Sequence, residues 1–120
     1  MLQQYVANWG AAPSDLGLIA ESASKEALGV AWLRLLPPPG GYGFVSPAVP
    51  ELSIAMLPHS RGQGIGRELL AKLLFIARSR FSSVSLSVAP ASPAVSFYTR
   101  AGFVLHEHRA DSLVMLRVLE

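Results

Sequence analysis

The chain contains no cysteine. That single absence removes disulfides, thiolate metal sites and cysteine nucleophiles together. Charge is also scarce: ten basic and eight acidic residues leave a formal net charge of +2. The basic residues are scattered, with no dense Lys/Arg run of the kind that suggests nucleic-acid binding, so no nucleic-acid partner is expected. No apolar run reaches the roughly 18 residues of a membrane span, and the richest stretch, Leu69 to Ala77, is interrupted by Lys72. No membrane partner is expected. Met1 is not followed by a charged region and an apolar signal core, so no secretory signal is read. Together these absences are compatible with a cytoplasmic protein. Repeats and low-complexity tails are missing as well, and 120 residues suggest one domain, expected over residues 1–120. Apolar residues, in contrast, make up half the chain, enough for a real core.

Patterning divides the chain into short elements. "LQQYVANWG" (2–10) reads as a short helix ended by Gly10. "DLGLIAES" (15–22) and "ALGVAWLRLL" (27–36) read as two strands of a hairpin, with "SASKE" between them. "PPPGGYGFVSPAVP" (37–50) is too rich in proline and glycine for regular structure, and long loops often carry function. "ELSIAML" (51–57) is strand-like and Pro58 ends it. From Ile65 the residues Leu69, Leu70, Leu73, Leu74 and Ile76 form a helical stripe that should end near Arg78 to Arg80. "SVSLSV" (83–88) alternates as a strand does. "SPAVSFYTRAG" (92–102) reads as a helix with Ser92 as cap, Pro93 in the first turn and Gly102 as stop. "FVLHEH" and "SLVMLRVL" make a closing hairpin around Ala110-Asp111. The class is a mixed α/β domain with a central sheet.

Between the strand at 51–57 and the following helix stands "RGQGIGRELL" (61–70), with glycines on alternate positions and arginines on both sides. Unpaired backbone N–H groups at a helix N-terminus favour an anion, so phosphate is the natural ligand. A nucleoside triphosphate loop requires G-x-x-x-x-G-K-[ST], but Gly66 is followed by Arg67 and Glu68, without lysine or hydroxyl. A dinucleotide fingerprint requires G-x-G-x-x-G and an acid about 20 residues on. Here the spacing is G-x-G-x-G, and no Asp or Glu stands between Glu68 and Glu107.

Arg61-Gly62-Gln63-Gly64-Ile65-Gly66 matches R/Q-x-x-G-x-G/A and resembles the pyrophosphate loop of the GNAT N-acetyltransferase superfamily. "PELSIAMLPHSRGQGIG" resembles that family's fourth strand plus loop, and "LSVAPASPAVSFYTRAGFV" (86–104) its fifth strand, fourth helix and following turn. The likeness runs over roughly residues 15 to 119. It implies a GNAT-like α/β (α+β) fold: a central mixed, mostly antiparallel sheet with splayed strands 4 and 5 and helices on both faces. It also implies an enzyme that moves an acetyl group from acetyl-CoA directly to a primary amine, without a metal.

Further implications fall on individual residues. The backbone of Ile54, Ala55 and Met56 would pair with the pantetheine arm like an added strand. The amides of Gly62, Gln63, Gly64, Ile65, Gly66 and Arg67 would hold the pyrophosphate, with Arg61 opening the motif. Tyr98, in "FYTRAGF", matches the family's tyrosine that protonates the departing thiolate; a packed helix tyrosine is the plain alternative. Glu51 stands where several members keep a glutamate base that acts directly or through water; a solvated strand-end glutamate is the alternative. Ser92 replaces the asparagine that often binds the cofactor there and has a shorter reach. His59, His106 and His108 read as surface residues rather than ligands.

Only fourteen residues, "MLQQYVANWG" and a short link, precede the first hairpin, so most of the family's first strand and helical substrate wall are expected to be missing. Either the chain is truncated or a partner subunit fills the gap, and a homodimer is the expectation. Trp32, Arg34, Tyr42 and Phe44 are candidates to line a substrate pocket, with Trp32 and Phe44 equally suited to a core. The rival function is a non-catalytic acyl-CoA-binding module or partner-dependent subunit.

Overall fold

A computed structural model describes residues 4–7, 16–35, 40–62 and 64–120. Seven strands form one sheet: β1 (Gln4–Ala7), β2 (Leu16–Glu21), β3 (Ala27–Arg34), β4 (Glu51–Met56), β5 (Ser83–Val88), β6 (Val104–Arg109) and β7 (Ser112–Val118). Their spatial order is β1-β2-β3-β4-β5-β7-β6. All neighbours are antiparallel except β4 and β5, which run parallel. Helix α1 (Ile65–Ala77) joins β4 to β5 after a single 3-10 turn at Pro58–Ser60, and α2 (Ala94–Arg100) joins β5 to β6.

The N-terminal segment corrects the expected helix over 2–10. Gln4–Ala7 is a strand, registered Gln4 to Glu21 through Ala7 to Leu18 on the outer edge of β2. Four residues are too few to display either periodicity, so pairing with an available edge decides the conformation. The sheet position beside β2, expected to be empty, is therefore filled by β1. The remainder of the expected helix lies outside the described residues.

The core forms on one face of the sheet. Leu16, Leu18 and Ala20 of β2, Ala31 and Leu33 of β3, Leu52 of β4, Val84, Leu86 and Val88 of β5 and Met115 of β7 all turn to that face. Helix α1 lays Ile65, Leu69, Leu70, Leu73, Leu74 and Ala77 on it, while Glu68 and Lys72 face solvent. This spacing is the apolar stripe that the sequence displays. Each fully buried leucine contributes about 1.5–3 kcal/mol relative to exposure. Helix α2 joins the same core through Ala94, Val95, Phe97, Tyr98 and Ala101. Both helices of the described residues thus contribute to one core. No helix among the described residues is long and apolar enough to cross a membrane.

Local chemistry sets the ends of α2. Ser92 Oγ accepts the Ala94 N–H at 3.1 Å, and Pro93 has a helical φ of −63°. At the other end Gly102 takes φ +95°, which turns the chain so that Phe103 enters the core.

The parallel pair carries the feature that positions the site. β4 and β5 share one ladder pair, Glu51 with Ser85. The Ser85 N–H also reaches the Pro50 carbonyl at 3.0 Å. Beyond that point the strands diverge and leave a gap in the sheet.

Candidate active site

A cavity of about 740 Å³ opens where β4 leaves β5. Ile54 and Met56 form its β4 wall, and Pro93, Ala94, Phe97, Tyr98, Arg100 and Ala101 of α2 and its flanks form the opposite wall. The glycine loop and the first turn of α1 close one end. Met56 reaches this position because it lies across Gly29, where a Cβ would come within 2.3 Å of its sulfur.

The closed end is built for an anion. Gly62 and Gly64 both have φ +78°, a conformation that costs glycine little and other residues more. Gly64 is the residue before α1, and no side chain caps the helix start. The first-turn amides of α1 therefore keep their donors for a ligand, and the helix dipole adds positive potential. Arg61, Arg67 and Arg100 contribute side chains to the same cavity, and no carboxylate or imidazole among its described lining residues opposes them.

On the α2 wall Tyr98 stands half-buried, its ring edge-on to Phe97 at 5.3 Å and to Phe103 at 5.9 Å. No group among the described residues hydrogen-bonds its hydroxyl. Burial raises its pKa above the ordinary phenol value, so it holds its proton at neutral pH. A phenol, apolar side chains, three arginines and a helix start without a side-chain cap thus share one cavity.

The family model described as the acetyltransferase (GNAT) family matches residues 2–103. The chain belongs to the GNAT acetyltransferase family. Similar solved structures agree in fold. A spermidine/spermine N-acetyltransferase from Vibrio cholerae superposes with a TM-score of 0.74 at 21% identity, covering 90% of this chain and 69% of that one. A GCN5-related N-acetyltransferase from Kribbella flavida gives 0.73 at 25% identity, covering 92% and 71%. No curated protein matches the chain.

In this GNAT acetyltransferase the sequence-derived candidates separate into groups. Ile54, Met56, Arg61, Gly62, Gly64, Gly66, Arg67 and Tyr98 all line the cavity. Ile65 belongs to the motif through its backbone, since its side chain is core at 1% exposure. Gln63 lies outside the described residues. Ala55 is exposed on the opposite face of the sheet from Ile54 and Met56, so only its backbone borders the gap. Ser92 accepts the Ala94 N–H just ahead of the helix, whose N-cap is Pro93 rather than the expected Ser92, and it does not line the cavity.

The remaining candidates lie outside the cavity, with Trp32, Arg34 and Glu51 on the face of the sheet opposite the core. Trp32, half-buried, is registered opposite Ser53, and Arg34 opposite Glu51. Tyr42 is 87% exposed. Glu51 is outside the cavity lining, and its carboxylate accepts the Gly41 N–H at 3.0 Å and the Gly43 N–H at 3.1 Å. His59 contacts Glu26 at 3.2 Å on the surface, and no group of three or more His, Asp or Glu among the described residues is placed to hold a metal ion. Arg100 and Phe97 are cavity residues that sequence reasoning did not single out. For Phe97 the signal was available: positions 94, 97, 98 and 101 form one helical face around Tyr98, whereas Arg100 lies off that face.

Proposed function

We propose that this enzyme binds acetyl-CoA in the cavity between β4 and α2 and transfers the acetyl group directly to a primary amine. The observation that carries the reading is one cavity lined by a helix start without a side-chain cap, by three arginines and by a protonated phenol whose hydroxyl has no hydrogen-bond partner among the described residues. The bound thioester supplies an activated acetyl group. The first-turn amides and Arg61, Arg67 and Arg100 hold phosphate oxygens. The free edge of β4 at 54–56 offers backbone groups to an extended amide-bearing arm. Tyr98 donates its proton to the departing sulfur as the C–N bond forms and the C–S bond breaks, while the acceptor nitrogen gives up its proton to solvent water, which returns one to the phenol; this general-acid help is worth about 10²–10⁴ in rate. Neither a covalent enzyme intermediate nor a metal enters this scheme.

Calorimetry should show acetyl-CoA binding far more tightly than NAD or ATP; tighter binding of either nucleotide would overturn the reading. Thiol release should then be followed against a panel of primary amines. Spermidine and spermine head that panel, because the Vibrio cholerae relative is named for them. A protein that binds acetyl-CoA yet acetylates no amine would instead be an acyl-CoA-binding module.

A homodimer belongs to the same proposal. Val104 and Val118 are 64% and 63% exposed, and Val104 is registered beside Leu116, so an apolar strip lies on the face of the sheet opposite the core. A Vibrio cholerae relative is described as dodecameric, which supports association in this family. Sedimentation at micromolar concentration should give a two-fold pair that Val104→Glu with Val118→Glu dissociates, whereas a wild-type monomer would remove this part of the reading.

A further inference from the structure

We propose that Glu51, Ser85 and Arg109 form a clamp that holds the loop at 41–44 over the far mouth of the β4/β5 gap, making Glu51 a positioning residue for the acceptor rather than its base. The inference rests on the acetyl-transfer reading above. Three strands each send one side chain to four consecutive loop residues. From β4, Glu51 accepts the N–H groups of Gly41 and Gly43 at 3.0 and 3.1 Å. From β5, Ser85 Oγ donates to the Gly43 carbonyl at 2.7 Å. From β6, Arg109 donates to the carbonyls of Tyr42 at 3.1 Å and Phe44 at 2.7 Å, and pairs with Glu107 behind it.

The location of the clamp gives it meaning. Val84 and Leu86 point into the helix-covered core, so Ser85 between them points to the other face, and so does Glu51, its register partner. The loop therefore crosses the sheet on the side opposite the cavity. Gly43 lies so close to β5 that a Cβ would come within 2.9 Å of the Leu86 carbonyl carbon and 3.1 Å of the Ser87 nitrogen. That is the first step of β5 beyond its last pair with β4, where the gap begins. Acetyl-CoA occupies one side of the sheet in this reading, and the loop borders the side from which an acceptor reaches the acetyl carbon.

Ser85 is fully buried, and its hydroxyl is spent on the loop. Both Glu51 oxygens already act as acceptors toward the loop. Tyr42 is held through its backbone on both sides, yet its ring is 87% exposed. The clamp thus fixes an aromatic side chain at the acceptor's entrance while leaving the ring free to meet it.

The test uses Glu51→Gln, Arg109→Met and the double variant of the full chain. Glutamine keeps one acceptor oxygen and loses the other; Arg109 lies on an edge strand, where its loss leaves the core intact. Hydrogen exchange over the loop requires no acceptor and comes first. Loss of a charge-assisted hydrogen bond should speed exchange about tenfold or more in each single variant. The double variant should exchange little faster than either, because one shared structure is lost. Unchanged exchange in both single variants overturns the clamp.

Kinetics with an accepted amine come second. KM for the amine should rise about tenfold in both variants while kcat stays within about threefold. The acidic limb of the kcat/KM profile should survive in Glu51→Gln. Disappearance of that limb with a collapse in kcat, while Arg109→Met behaves as wild type, overturns the positioning role and makes Glu51 the base. Failure to bind acetyl-CoA in calorimetry would strike the proposed function instead, leaving the exchange result to judge the clamp alone.

Discussion

Gly66 meets two opposing demands, one from the helix and one from the cavity. It lies in the first turn of α1 with no left-handed dihedral, so its backbone does not require glycine. A Cβ there would sit 3.7 Å from Met56 Cγ and Sδ and 3.8 Å from Phe97 Cζ, which are ordinary contacts. Gly66→Ala should therefore stabilise the fold, by about 0.5–1 kcal/mol in urea unfolding, because alanine loses less entropy in a helix. The same methyl would project into the cavity, so acetyl-CoA affinity should fall tenfold or more in calorimetry. Unchanged affinity would show that no ligand lies against this position. Gly64 offers no such clean test, since its φ of +78° strains any replacement before a ligand is considered. Tyr98 is tested through its proton. Burial raises its pKa above 10.0, so the phenol stays an acid throughout the neutral and mildly alkaline range. Tyr98→Phe should keep the ring contacts and cofactor affinity but lower kcat by on the order of 10²-fold, roughly 3 kcal/mol of barrier. In the unfolded chain this tyrosine ionises near 10.0 and in the folded chain only at higher pH. The stability linked to that difference is complete below 10.0 and is lost as pH rises through the folded value. Absorbance titration of the phenolate, wild type against Tyr98→Phe, measures the displacement directly.

The elements differ in how plainly the sequence announces them, and the difference is one of range. Ser83–Val88 and Ala94–Arg100 have local signatures: strict alternation in one, a serine cap with proline and a glycine stop in the other. The glycine loop is equally local, since its spacing and the residues that follow it exclude the two other phosphate-binding motifs. β1 was misread because four residues carry no period, and only the edge of β2, more than ten residues away, makes Gln4–Ala7 a strand. The grip on the loop was invisible for the same reason. Ser85 finds Gly43 across 42 residues and Arg109 finds Tyr42 across 67, and no pattern in a single sequence marks such pairs. Glu51 drew attention as a strand-opening acid, but its two amide partners depend on a loop path that composition does not encode. The stop of α2 provides a test at this scale. Gly102 has φ +95°, and a Cβ there would approach Arg117 Nε at 3.2 Å, while Arg117 Nη1 donates to the Ala101 carbonyl at 2.7 Å. Gly102→Ala should cost about 1–2 kcal/mol from the left-handed backbone and the crowding together, read as a lower urea midpoint. Adding Arg117→Ala should recover only the crowding share.

At the scale of the whole molecule, the sheet is two half-sheets meeting at a seam. β1 to β4 pair continuously, as do β5, β7 and β6, but the halves share one ladder pair, Glu51 with Ser85. Helix α1 packs chiefly on β2 and β3, so it braces the first half more than the second. The common core, the Ser85 N–H on Pro50 and the loop at 41–44 tie the halves together. A ligand seated in the gap would touch β4 and α1 on one side and α2 on the other, adding contacts across the seam. Such a ligand binds only the folded chain, and a ligand present at a hundred times its Kd stabilises a protein by about 2.7 kcal/mol. For a domain of this size that corresponds to a rise in Tm of roughly 10 °C. Differential scanning fluorimetry should show that rise with acetyl-CoA, growing with the logarithm of its concentration, and little change with NAD or ATP. The gain should shrink in Gly66→Ala although that variant melts higher on its own, because helix entropy and cavity space act on opposite sides of the binding equilibrium. A Tm insensitive to acetyl-CoA at concentrations where calorimetry detects binding would mean that the unfolded chain binds it as well. The cavity across the seam would then have no part in recognition.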